Sequence, residues 1–199
     1  GQRRHRNGHY RIGHEDMNSE RNLTQIALFT ALIAALGLIP QLTLAFGVPI
    51  TAQSLGIMLC GTVLGARAGG LAALLFVGLV ALGLPLLAGG RGGLGLFTSP
   101  TAGFLVGFPV AAFCTGLVME RLRGMAVGVA AGIAAMLGGV IVLYAFGISG
   151  MALVLGRSLP EAALLMTAFI PGDLAKAVLA GLVTAALYRA RPHSILSRA

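Results

Sequence analysis

Apolar residues in this chain do not alternate with polar ones; they come in long runs without a charge. No charged side chain occurs for 45 residues from Asn22 to Ala66, for 23 from Ala68 to Gly90, for 28 from Gly92 to Met119, or for 33 from Gly124 to Gly156. A hydrocarbon core about 30 Å thick takes about 20 helical residues, so each later run predicts one transmembrane helix. The first run, interrupted at Pro40, Gly47 and Pro49, predicts two, and Ala162 to Tyr188 adds one more. The pattern therefore predicts an all-α integral membrane protein with six transmembrane helices in one domain, residues 17–190. A β-barrel would need alternating segments of about 10 residues, and these runs do not alternate.

Composition and charge narrow this further. Charged residues make up 10% of the chain and apolar ones 57%, against about 25% charged in soluble domains, which excludes a water-soluble globule. The thirty glycines suit helices that pack backbone to backbone in lipid. The formal charge of +8 lies at the ends of the spans. With the N-terminus inside, Arg21, Arg67, Arg121, Arg123, Arg189, Arg191 and Arg198 fall on the cytoplasmic side, and the outer loops hold only Arg91 and Arg157. This positive-inside bias predicts a multi-pass protein with both termini cytoplasmic. No basic patch with interleaved aromatics points to nucleic acid.

Residues 1–16 precede Met17 and share none of the following composition; they read as a tag, an upstream read-through or a disordered tail, and residues 191–199 as a cytoplasmic tail. Nothing resembles a cleaved signal, since the first apolar run continues into a polytopic pattern. His5, His9, His14 and His193 all lie in these tails, so no metal site or other cofactor is expected. Cys60 and Cys114 read as small packing residues within spans.

Several reaction classes fail on residue types. The only lysine, Lys176, follows Ala175, so there is no phosphate-binding Gly-Lys-Ser/Thr loop. The spans contain no histidine for a nucleophile's base, and Asp173 is the only acid within a membrane run, which rules out a carboxylate pair. The chain does not read as an enzyme. Asp173 and Lys176, at i and i+3 in AFIPGDLAKAVLAG, share one helix face about 60° apart. Ionisable groups at membrane depth cost at least about 2.5 to 3.5 kcal/mol, so such a pair marks a functional site before it marks a structural one.

Pro171 and Gly172 place the start of the last helix near Asp173, because proline is tolerated in a first turn and not in a helix interior. From there to Tyr188 is about 24 Å, so the helix begins below the outer surface, with Glu161 to Ile170 as a separate short segment above it. Non-helical backbone at that depth is tolerated where it lines a cavity, which predicts a substrate pocket open to the outer side. Two outer loops reach it. One carries Thr51 and Gln53; the other is glycine-rich, with Arg91, Gly92 and Gly93 among five glycines from Gly89 to Gly95, and its amides are expected to form an anion nest. Ala27, Ala31 and Ala35 give the first span a flat stripe, either for packing within the chain or for a partner helix.

PITAQS, GGRGGLG followed by SPTAGFLVGFP, and FIPGDLAK resemble, in order and spacing, the BioY family of biotin-specific S components of energy-coupling-factor (ECF) transporters. The resemblance runs from about Arg21 to Tyr188. It implies a bacterial plasma-membrane protein that captures biotin outside and releases it inside by reorienting in the bilayer. The implied partners are biotin, membrane lipid, and either a transmembrane coupling subunit with two cytoplasmic ATPases or further copies of the chain. Asp173 and Lys176 map to the family's pocket, and Ala27, Ala31 and Ala35 to the surface that meets the coupling subunit. On that basis Asp173 accepts from the ureido N–H groups of biotin. Lys176 donates to the ureido carbonyl or holds the carboxylate, and Arg91 with the glycine loop takes the remaining anionic end. Where family members often carry Gly-Gly-Tyr after the Pro-Thr, this chain has Ala102, Gly103 and Phe104, which removes a hydroxyl. An S component for a different vitamin, or a structural membrane protein with an internal Asp-Lys pair, are the competing readings.

Overall fold

The structure is a computed structural model and describes residues 6–199, with side chains from residue 19 onward. Five long helices are present: α1 (Arg6–Leu36), α2 (Gln53–Ala81), α3 (Ala102–Arg121), α4 (Val127–Leu155) and α5 (Leu159–Ala190). The last four are each long and apolar enough to cross a membrane. Helix α1 is continuous through the segment expected to be a tail, although residues 1–5 lie outside the described residues. Large apolar side chains such as Leu74, Val106, Leu153 and Leu182 stand exposed on the outer faces of the helices, which places the apolar surface where lipid would meet it.

Helix α2 is broken at Gly65, whose φ of 83° and ψ of −175° are open to glycine almost alone. A straight helix would separate Cys60 and Gly69 by about 14 Å. Instead, a Cβ on Gly69 would lie 2.5 Å from the Cys60 carbonyl oxygen, so residues 66–81 fold back against residues 53–64. The break exposes the Ala66 amide, and the Glu120 carboxylate of α3 accepts from it at 2.8 Å. The two arms of α2 pack on α3 and on α1, while α4 packs on α5 and α3. Close approach is extreme between α3 and α4, where a Cβ on Gly103 would come within 2.9 Å of the Gly150 Cα.

Two irregular turns shape the region around the site. In α4, residues Ala135–Val142 are π-helical, which inserts a residue into the helical repeat and turns the next residues, Leu143 and Tyr144, toward the interior. In α5, a 3-10 turn at Thr167–Phe169 joins Leu159–Met166 to Ile170–Ala190. The last helix thus begins three residues before Asp173, and the segment above it is itself helical, secured by a Ser158–Glu161 capping box. Pro171 falls in a first turn as expected. The tight turn preceding it lets the chain remain helical where proline supplies no N–H.

Residues 191–199 are not a free tail. Ile195 and Ser197 are buried beneath the bundle, the Ser197 hydroxyl donates to the Thr62 carbonyl, and Gln25 Nε2 donates to the Ser194 carbonyl at 3.3 Å. At the other end, a hairpin of two short strands, β1 (Leu42–Thr43) and β2 (Pro49–Ile50), pairs antiparallel in the register Leu42↔Ile50 and Thr43↔Pro49.

Candidate functional site

Asp173 lies in the first turn of Ile170–Ala190, two residues after Pro171, which has no amide to pair. One turn later, Lys176 Nζ reaches its Oδ1 at 2.8 Å, the only ion pair among the described residues. The carboxylate side chain is 8% exposed and the lysine 16%, so the pair is largely removed from solvent. Two further groups complete it. Ser54, from the first turn of α2, accepts from Lys176 Nζ at 2.9 Å and faces Asp173 Oδ1 at 3.4 Å. Tyr144, delivered by the π-helical stretch of α4, donates to Asp173 Oδ2 at 2.7 Å.

These residues floor a cavity whose walls combine Thr51 and Pro49, Phe104 and Phe108 of α3, and Phe169 of α5, with Arg91 at one side. Phe104 and Phe169 stack with ring centroids 6.1 Å apart, so Phe104 supplies an aromatic wall. The enclosed free space is about 50 Å³, far below the roughly 300–1,000 Å³ of small-molecule pockets, so a ligand must part this lining to enter. Arg91 donates through Nε to the Ala88 carbonyl at 3.1 Å and through Nη1 to Thr101 Oγ1 at 3.3 Å. Neither partner is anionic.

The structure therefore brings Asp173, Lys176, Arg91 and Thr51 to one cavity. It does not bring Gln53, Gly92 or Gly93 there. Gln53 is buried and points the other way: its Nε2 donates to the carbonyls of Ile33 and Leu86 at 3.0 and 2.9 Å, and its Oε1 accepts from Ala88 N at 3.0 Å. It fastens the loop that carries Arg91 to α1. The expected anion nest is also not presented to the cavity. The amides of Gly90 and Arg91 donate to the Leu87 carbonyl and close a tight turn, and that of Gly93 donates to the Val80 carbonyl and ties the loop to α2, so none of the three awaits a ligand. Ala27, Ala31 and Ala35 are all exposed, with Thr30 and Ile33 on the buried face of α1.

Ser54 and Tyr144 are the residues that sequence reasoning missed. Tyr144 carried a faint signal as a phenol in the middle of the 33-residue uncharged run. Ser54 adjoins Gln53, but nothing short of the helix phase showed which of the two faces Lys176. Replacing Gln53 by Ala is expected to lower stability by about 1 to 3 kcal/mol, because it leaves buried backbone groups of Ile33, Leu86 and Ala88 unpaired. Thermal unfolding in detergent checks this; an unchanged midpoint would show that the loop needs no fastening.

Comparison with known proteins agrees with this architecture. The family model described as "BioY family" matches residues 12–193. A biotin transporter BioY of Rhodobacter capsulatus is 56% identical over 188 residues, covering 90% of this chain and 99% of that protein. One from Rhizobium etli is 54% identical over 171 residues, covering 83% and 91%. Among solved structures, the S-component for biotin from an ECF-type ABC transporter superimposes with a TM-score of 0.81 at 30% identity, covering 86% of this chain and 93% of that one. Helices broken and packed as described, around one buried Asp-Lys pair, thus sit in a chain that belongs to the BioY family.

Proposed function

We propose that this chain is a biotin-binding S component, a substrate-binding subunit of a vitamin transporter rather than an enzyme. The observation that carries the reading is the charge balance of the cavity. Asp173 contributes one negative charge and Lys176 and Arg91 one positive charge each, so the site is one positive charge in excess. Biotin is a monoanion with a neutral ureido ring, and it matches that excess. In this assignment Asp173, oriented by Tyr144 and Ser54, accepts from the ureido N–H groups. Lys176 donates to the ureido carbonyl, the aromatic walls take the rings and aliphatic chain, and Arg91 with Thr51 receives the carboxylate. Burial lowers the pKa of Arg91 from its ordinary value, as for a cation short of solvation, and a carboxylate ligand relieves that shortage. Charge-assisted bonds of this kind gain strength in a low-dielectric site.

Counting the two arms of α2 separately gives six crossings, with the cavity opening outward and both termini cytoplasmic, in the plasma membrane of a bacterium. The arginine bias and the depth of Asp173 support that orientation. Pro49 of β2 belongs to the lining, and because two-residue strands are marginal on their own, the hairpin that carries it is the part that moves aside for entry. The exposed stripe of Ala27, Ala31 and Ala35 is the surface offered to a coupling subunit, which with two ATPases supplies the energy this chain cannot; a homo-oligomer is the alternative assembly. Pull-down from native membranes separates the two by recovering ATPase subunits or the chain alone.

The direct test is calorimetric titration of biotin into protein purified in mild detergent from biotin-depleted cells. Submicromolar binding at one biotin per chain is expected. A folded sample that ignores biotin and binds another vitamin, or nothing, would overturn the assignment.

A further inference from the structure

At the opposite end of the bundle from the Asp173 cavity, a second concavity runs between α4 and α5. The helix backbones meet at their glycines, where a Cβ on Gly181 would lie 2.7 Å from the Gly128 carbonyl. Flanking side chains, including the exposed Val129, Val178 and Leu182, then stand up as walls of a groove of about 950 Å³. One end of the groove is apolar and lies along the membrane-spanning part of α5. The other end carries Arg123, Arg189 and Arg198. From Asp173 to Arg189 along α5 is about 24 Å, so this is not an extension of the first cavity.

Among the described residues, the three guanidinium groups have no anion. No carboxylate lines the groove among the described residues, and none of the three arginines is in an ion pair there. Arg198 is the most exacting case. Its Nε is buried without a hydrogen-bond partner, and its Nη2 reaches only the Met119 sulfur at 3.8 Å, a weak acceptor. Burial lowers the pKa of Arg198 from its ordinary value; Tyr188 opposes the shift and the charge of Arg123 adds to it. An anion at this point would satisfy the buried donor and separate two like charges. An anion alone would leave the apolar length of the groove bare.

We propose that this groove binds one anionic phospholipid, with its phosphate held by Arg123, Arg189 and Arg198 and an acyl chain laid along the Gly128, Gly132 and Gly181 floor. Guanidinium groups match phosphate oxygens in bidentate geometry, and basic clefts between spans at the cytoplasmic face are suited to such headgroups. A phosphatidylcholine offers the same chains without net negative charge, and glycerol phosphate offers an anionic phosphate without chains. The pair separates the two halves of the site.

The experiment uses the full chain, delipidated in neutral detergent, and reads native mass spectra and thermal unfolding with dioleoyl phosphatidylglycerol, dioleoyl phosphatidylcholine or glycerol phosphate. One phosphatidylglycerol per chain, with a raised unfolding midpoint, is expected, and neither of the other two should match it. Arg123→Gln should weaken phosphatidylglycerol binding at least tenfold. Gly132→Leu should do the same by filling the chain path; a Cβ there would have nothing nearer than the Ala177 carbonyl at 4.0 Å, and an unfolding midpoint unchanged without lipid checks that the longer side chain leaves the fold intact. Equal retention of phosphatidylcholine, an equal shift from glycerol phosphate, or binding indifferent to both substitutions would overturn the proposal. Because lipid binding is read without biotin, failure of the lipid site and failure of the biotin assignment give different results.

Discussion

Asp173→Asn is expected to reduce affinity for biotin at least tenfold, about 1.4 kcal/mol. The carboxylate now accepts from Lys176 on Oδ1 and from Tyr144 on Oδ2, and its charge lets it accept from a ligand N–H as well. Asparagine keeps a single acceptor oxygen. If that oxygen faces Lys176, the amide NH2 faces Tyr144 and the position of the ureido donors, so a donor meets a donor. The substitution also raises the excess charge of the cavity by one. This makes the experiment sensitive to the direction in which biotin lies: if its carboxylate sat beside Lys176, the added positive charge would strengthen binding. Titrating the neutral amide of biotin alongside biotin completes the test, since Arg91→Gln should weaken biotin and leave the amide nearly unaffected. Unchanged affinity in Asp173→Asn, accompanied by a lower unfolding midpoint, would reassign the Asp173–Lys176 pair as a structural ion pair.

The second large effect is expected at Gly65. Replacement by Ala should cost about 2.5 to 6 kcal/mol, from roughly 1 to 3 for a backbone conformation closed to side chains and roughly 1.5 to 3 for the lost carboxylate-assisted bond. The two contributions share one cause. A Cβ at residue 65 would overlap Glu120 Oε1, the group that accepts from the amide freed by the chain reversal. Against a typical stability of about 5 to 15 kcal/mol, this threatens the fold itself. Gly78→Ala is the matched control, because a Cβ there meets nothing within 4 Å and the backbone is helical. Unfolding midpoints and monodisperse yield should fall for Gly65→Ala and hold for Gly78→Ala. Equal behaviour of the two would show that residues 53–64 and 66–81 do not depend on the reversal.

Depth and charge made the Asp173–Lys176 pair legible, because hydrocarbon makes any ionisable group conspicuous in a chain with so few of them. Spacing alone also placed both on one face of a helix. The same reasoning did not reveal where Gln53 and the glycine loop point. Both lie near the cavity in sequence, but Gln53 faces α1, the amides of Gly90 and Arg91 are spent on their own turn, and that of Gly93 on the end of α2. Polar residues at a membrane loop satisfy backbone as readily as ligand, and composition does not distinguish the two uses.

The sequence by itself determined that this is a helical membrane protein, where its apolar spans run, and which ionisable pair lies at depth, since hydrocarbon constrains length and charge locally. Only the tertiary structure decided which polar groups meet. Ser54 and Tyr144 reach Asp173 from helices more than a hundred residues and 29 residues away in the chain. They do so through the phase of α2 and a π-helical turn of α4, geometric details that apolar runs do not encode. The tuck of residues 191–199 under the bundle and the arginine-headed groove between α4 and α5 have the same origin. Each depends on which helix faces pack together, and packing is a property of the assembled chain.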